Sequence, residues 1–78
     1  MMDIGLLWYD DDPKKTLERK IGEAAERYRQ RFGAQPNVCH VHGEKTEDRR
    51  QATIGNRQVA VIPNQAIRPH YFWVGLEG

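Results

Sequence analysis

The sequence predicts an α+β fold of two layers, in which one long helix packs on one face of a mixed sheet. Two observations lead to this prediction. An amphipathic segment at about residues 13–32 carries helix signals at both ends, and short apolar segments typical of strands lie on either side of it. The chain of 78 residues has room for one modest core, so we expect a single domain over 1–78. The predicted order is β-α-β-β-β, with four or five strands.

The first strand is predicted at Ile4–Tyr9, where a short apolar and aromatic run is bounded by Asp10–Asp12. Because the run does not alternate with polar residues, both faces of this strand should be covered. We place the strand at the start of a β-α-β unit, since the helical pattern follows with almost no linker.

The helix is predicted from an apolar stripe with a period of 3.6 residues. Asp12 is a suitable N-cap, Pro13 fits the first helical position, and Gly33 fits the position after the last turn. Acidic residues precede the helix and arginines lie near its end, as the helix dipole favours. The stripe consists of Leu17, Ile21, Ala24, Ala25, Tyr28 and Phe32.

Three further strands are predicted after the helix. The second strand covers 38–42, and we expect it to run parallel to the first after a right-handed crossover. Residues 58–62 and 70–76 form the other two, with Pro63 ending the earlier one and a loop at 64–69 between them. Gly55-Asn56 is a candidate two-residue hairpin turn, although the pattern over 43–57 leaves the structure there open.

Composition narrows the classes of function. The net charge is +1, so the whole chain gives no electrostatic argument for nucleic acid or membrane binding. No stretch is apolar enough for a membrane span. Cys39 is the one cysteine, which excludes an internal disulfide and favours a reducing compartment. We therefore expect a cytoplasmic protein without a cofactor.

One helix covers one face of such a sheet, and strand alternation leaves an apolar and imidazole-rich set on the other face. Exposed patches of this kind usually mark interfaces. The favoured function is therefore that of a small non-enzymatic binding or accessory protein. It would be a homodimer packed through these faces or through the strand edges, or it would bind another protein. The candidate interface residues are Tyr9, His40, His42, Tyr71 and Trp73.

A nucleic-acid-binding module is an alternative, with contacts from a basic flank of the helix and from basic connections. Against it, the net charge is close to neutral, and Glu23 has the spacing to pair with Arg27. The candidate contact residues are Lys20, Arg27, Arg31, Arg49 and Arg50.

A small metal-dependent enzyme is the other alternative, at the sheet edge where Asp10 and His42 follow the first two strands. His40, His42, His70 and Asp10 are weak candidate metal ligands. Their spacing matches no paired zinc motif, so we expect no metal site. The run Asp10–Pro13 also lacks the glycines of a phosphate-binding loop.

Overall fold

The computed structural model describes residues 5–43, 50–55 and 57–77. One helix packs with one sheet of five strands, which confirms the predicted α+β fold. No helix in these ranges has the length and apolarity needed to cross a bilayer. The elements are β1 (Gly5–Tyr9), α1 (Leu17–Phe32), β2 (Val38–His42), β3 (Arg50–Ile54), β4 (Arg57–Asn64) and β5 (Tyr71–Gly75).

The strands lie in the order β1-β5-β2-β4-β3. Strand β5 is antiparallel to both β1 and β2, whereas β2 and β4 are parallel. β1 and β2 therefore run in the same direction, as the β-α-β prediction requires, but β5 lies between them. The C-terminal ends of β1 and β2 consequently meet at one edge of the sheet without being neighbours.

The helix begins later than predicted. Thr16, not Asp12, is its N-cap: the residue is extended and its Oγ1 accepts a hydrogen bond from the Arg19 N–H at 3.1 Å. Asp12 instead holds a separate turn, in which its carboxylate accepts from the Lys14 N–H at 2.9 Å. Pro13 lies in that turn. Asp12 and Thr16 are both suitable N-cap residues, and the helix begins after Thr16, directly before Leu17 of the apolar stripe.

The other end of the helix is as predicted. Gly33 has a φ of 74°, and its N–H donates to the Arg29 carbonyl. Between these ends the apolar stripe packs on one face of the sheet, against side chains from all five strands. The buried cluster contains Ile21, Ala24, Tyr28, Cys39, Val41, Ala52, Val59, Val61, Phe72 and Val74.

Gly22 allows the helix to approach β3 closely. A Cβ at this position would lie 3.2 Å from Cγ2 of Ile54, which is tighter than ordinary van der Waals contact. A glycine inside a helix costs about 1 kcal/mol relative to alanine, so the close approach offsets part of that cost.

Strands β3 and β4 form the hairpin predicted at Gly55-Asn56. Ile54 pairs with Arg57 and Gly55 has a φ of 65°, while Asn56 lies outside the described residues. The prediction that Pro63 ends the strand was wrong, because Pro63 pairs with Val41 of β2. Among the described residues, the ladder between β3 and β4 ends at the pair of Arg50 and Val61, so Pro63 lies beyond the described part of that ladder.

Candidate functional site

The sheet face opposite the helix is partly covered by the chain itself. This cover was not predicted from the sequence. The segment Asn64–His70, here called the covering loop, connects β4 to β5 and is held by its own hydrogen bonds. The Ile67 N–H donates to the Asn64 carbonyl at 3.1 Å, and the Ala66 N–H donates to the Asn64 side chain at 2.9 Å.

Two predicted interface histidines are bound by this loop. The Asn64 amide donates to Nδ1 of His40 at 3.2 Å, and His40 also lies edge-on to Trp73, with ring centroids 5.9 Å apart. Nδ1 of His42 is 2.9 Å from the Ile67 carbonyl, and it must donate because a carbonyl oxygen only accepts. His40 and His42 thus fasten the covering loop to β2.

The covering loop ends in a strained turn. The Tyr71 N–H donates to the Arg68 carbonyl at 3.1 Å, with Pro69 and His70 at the two central positions. His70 has a φ of 70°, the left-handed conformation that a type II turn requires there and that glycine usually supplies. The His70 carbonyl in turn accepts from the Asp10 N–H at 3.0 Å, which extends the pairing of β1 with β5.

The part of this face that stays open lies on β1 and the start of β5. Leu7 is 57% exposed and Tyr9 is 51% exposed, so the prediction that both faces of the first strand are covered was wrong. The Tyr9 ring packs on half-buried Tyr71, with centroids 4.9 Å apart. The Tyr9 hydroxyl donates to Asp11, and partial desolvation together with this hydrogen bond raises the pKa of Tyr9.

A cavity of about 280 Å³ lies beside these exposed residues. The tip of the covering loop forms one wall, and β1 and β5 form the other. The lining residues are Leu7, Ala66, Ile67, Arg68 and Tyr71. All are apolar or aromatic except Arg68, which is exposed and forms no ion pair with a carboxylate of the described residues.

At the edge where β1 ends, Asp10 has a structural role. Its buried carboxylate accepts from the Asp12 N–H at 3.0 Å and from Nζ of Lys15 at 3.1 Å. The hydrogen bond from Asp12, followed by Lys15 and the charge of Lys20, lowers the pKa of Asp10. Asp10 is thereby held ionised by the segment that leads into the helix, which is not the environment of a general acid.

The weak metal candidates are not assembled. In the ranges that the structure describes, no three His, Cys, Asp or Glu side chains are grouped so that they could hold an ion. His40 and His42 bind the covering loop, His70 packs edge-on against Tyr9, and Asp10 binds Lys15. These four candidate ligands therefore contact different neighbours and do not form one group.

The predicted basic flank of the helix, formed by Lys20, Arg27 and Arg31, is not one exposed surface. Lys20 is buried and close enough to Asp10 to influence its pKa, so it does not belong to an exposed flank. Arg27 and Arg31 are exposed and, with Gln30, line a shallow depression. Arg49 lies outside the described residues, and only the backbone of Arg50 is described.

The prediction that Glu23 pairs with Arg27 is also wrong. Glu23 is bound instead by Nζ of Lys15 at 2.7 Å and by Nε of Arg19 at 3.3 Å. The later helix start explains this choice, because it leaves Lys15 outside the helix and free to reach both Asp10 and Glu23. In the described part of the chain, Arg27 and Arg31 have no acidic partner.

The candidate interface derived from sequence omitted Leu7, Ile67 and Arg68. Leu7 was assigned to the correct face by strand alternation and could have been included on that basis. Nothing in the sequence indicates that the covering loop folds over this face. The chain matches no protein-family model, no curated protein and no solved structure.

Proposed function

We propose that this protein is a small binding domain that associates with a second copy of itself through the free edge of β1. The observation that carries the proposal is the coincidence of an unpaired strand edge with the exposed side chains of Leu7 and Tyr9. In the described sheet, β1 pairs with β5 on one side and with no strand on the other.

The register identifies the backbone groups at this edge. Asp10 and His70 form a hydrogen-bonded pair. Such pairs alternate along an antiparallel ladder, so Trp8 and Leu6 also bond to β5. The N–H and C=O groups of Gly5, Leu7 and Tyr9 therefore point away from β5, and the side chains of these residues belong to the open face.

This pattern is self-complementary. A second β1 strand, antiparallel and centred on Leu7, places Leu7 opposite Leu7 and Gly5 opposite Tyr9. The space over Gly5 is already filled by the indole of Trp73. The Tyr9 ring of the second copy would then contact this indole, and aromatic pairs of this kind contribute about 0.5–1.5 kcal/mol beyond their buried area.

The opposite edge of the sheet differs in chemistry. Gln51 and Thr53 are exposed on β3, and the Gln58 amide donates to the Thr53 hydroxyl across the hairpin. The exposed side chains of Leu7 and Tyr9 on β1 are instead apolar or aromatic, and their burial against a second copy would be favourable. The contrast supports β1, rather than β3, as the associating edge.

The size of the surface sets the expected strength. A five-residue strand with two exposed apolar side chains buries less than the roughly 800 Å² per partner of a standard interface. We therefore expect a monomer–dimer equilibrium that depends on concentration. The covering loop occupies part of the face opposite the helix, which supports placing the association at the edge of β1.

Sedimentation velocity over a concentration series tests the proposal. The wild type should sediment faster as concentration rises, and Leu7→Lys should remain monomeric because it places a charge at the centre of the pairing. Thr53→Lys introduces the same charge on the other edge and should behave like the wild type. A wild type that is monomeric at every concentration, or a Leu7→Lys variant that still associates, would contradict the proposal.

A second function, nucleic-acid binding, is favoured by one observation: Glu23 is engaged elsewhere, which leaves Arg27 and Arg31 without an acidic partner among the described residues. If these arginines bind phosphates, an oligonucleotide should be retained at low salt and released as salt rises. The double variant Arg27→Gln/Arg31→Gln should lose this binding. Arg29→Gln is the matched control, because Arg29 pairs with Glu26. Unchanged binding by the double variant would exclude this function.

A further inference from the structure

We infer that the cavity beside β1 binds a small organic anion with an apolar body, of the class of aromatic or branched aliphatic carboxylates. The inference does not depend on self-association, because the residue that would recognise the charge lies on the covering loop rather than on β1.

The cavity is built by fixed contacts. The His42 ring holds the Ile67 carbonyl at 2.9 Å, and the Asn64 carbonyl accepts from the Ile67 N–H. The turn that includes Pro69 and the left-handed His70 then directs the chain into β5. Ile67 is thereby held at both its N–H and its carbonyl, and Arg68 lies between Ile67 and the turn. A preformed wall of this kind reduces the ordering that a ligand must impose.

The lining combines an apolar wall with one cation. Leu7, Ile67 and Tyr71 are the large apolar or aromatic residues of the lining, and Arg68 is its one charged residue. Small-molecule sites commonly have this composition, with few polar groups in a mostly apolar setting. Arg68 forms no ion pair within the described residues, so its guanidinium is available to a ligand.

Charge and size define the ligand. A planar guanidinium binds a planar carboxylate through two parallel hydrogen bonds. The cavity of about 280 Å³ is at the small end of the range for ligand sites, which limits the apolar body to about one ring or a short branched chain. Of the carboxylates that follow β1, Asp10 accepts from Nζ of Lys15 and Asp11 accepts from the Tyr9 hydroxyl, so neither is paired with Arg68.

The test is a titration of the wild-type protein, followed by amide chemical shifts, with three probes. Phenylacetate carries both the ring and the charge, 2-phenylethanol carries only the ring, and acetate carries only the charge. Phenylacetate should cause saturable shifts confined to the cavity residues. Each of the other two should bind at least tenfold more weakly.

Two variants complete the experiment. Arg68→Gln should weaken phenylacetate binding about tenfold, whereas Arg57→Gln, which replaces an exposed arginine of β4, should leave it unchanged. Equal shifts with 2-phenylethanol, equal shifts with acetate, an Arg68→Gln variant that binds normally, or no saturable shift would each overturn the inference. Because Arg68 lies outside β1, sedimentation of Arg68→Gln separates this result from a failure of self-association.

Discussion

The indole of Trp73 lies directly across the backbone of Gly5. A methyl group at position 5 would come within 1.8 Å of Cζ2 of this ring, so no other residue fits without displacement of the indole. Gly5 and Trp73 are diagonal neighbours on adjacent strands, two positions out of register, since Gly5 pairs with Gly75 and Leu7 pairs with Trp73. The indole of Trp73 can therefore lie over β1 because Gly5 has no side chain.

Gly5→Ala should therefore lower the free energy of unfolding by about 1–3 kcal/mol, the usual cost of overpacking. It should also shift the tryptophan emission, because the Trp73 ring must move. Chemical denaturation and fluorescence measure both effects. Gly43→Ala is the control, since among the described residues a Cβ there would lie 3.7 Å from Cγ of Gln65, an ordinary van der Waals contact. Equal stability of the two variants would contradict the contact.

Asp10→Asn should lower the free energy of unfolding at pH 7 by about 1–3 kcal/mol, because it weakens hydrogen bonds that Asp10 makes as a carboxylate. The pKa of Asp10 is lowered in the folded state, first by the Asp12 N–H and then by Lys15. Its stabilisation is therefore complete above the unfolded pKa of about 4 and is lost as the pH falls through the folded value.

The stability difference between wild type and Asp10→Asn should accordingly shrink in acid. Denaturation curves at neutral pH and at about pH 3 would measure it. Asp11→Asn is the control at a neighbouring exposed carboxylate, whose hydrogen bond comes from the Tyr9 hydroxyl. A difference that stays constant with pH would show that the charge of Asp10 is not what stabilises the fold.

The left-handed conformation of His70 predicts an unusual order of stabilities. Replacement by glycine and replacement by alanine both remove the ring and its edge-on contact with Tyr9. Only alanine keeps the Cβ that strains a residue with a φ of 70°. The glycine variant should therefore be more stable than the alanine variant by about 1 kcal/mol, as thermal or chemical unfolding would measure. The reverse order would contradict the turn geometry.

Cys39 should be unreactive in the folded protein. Its side chain is fully buried, and burial raises the pKa of the thiol to about 12. We expect labelling by a disulfide reagent at pH 8 to be at least about a hundredfold slower in the native protein than in denaturant, since only the thiolate of an opened molecule reacts. Cys39→Ala supplies the blank. Immediate stoichiometric labelling of the native protein would contradict this burial.

The sequence contained the information for the layers but not for all contacts within them. Alternation assigned Cys39 and Val41 to the helix side, because period-two patterns depend only on the neighbouring residues. The predicted helix start was wrong because Asp12 and Thr16 are both good N-cap residues, and the local sequence does not decide between them. The insertion of β5 between β1 and β2 was not predicted, since a strand's own residues do not specify its neighbours.

The candidate site was the least predictable part. His40 and His42 look like exposed polar groups in the sequence, whereas the covering loop makes both of them fasteners for a distant segment. That outcome depends on Asn64 and on the Ile67 carbonyl, which lie more than twenty positions further along the chain. A backbone carbonyl carries no signature in the sequence. The ion pairs of Lys15 with Asp10 and Glu23 were not predicted either, because they depend on how the segment before the helix folds.

The position of β5 also sets the order of events during synthesis. A ribosome makes β1 first, yet the strand that pairs with it is made last among the described elements. Until Tyr71–Gly75 has emerged, Phe72 and Val74 are missing from the core and β1 has two unpaired edges. Among the described elements, β1 therefore has no strand to pair with until the last strand has been made.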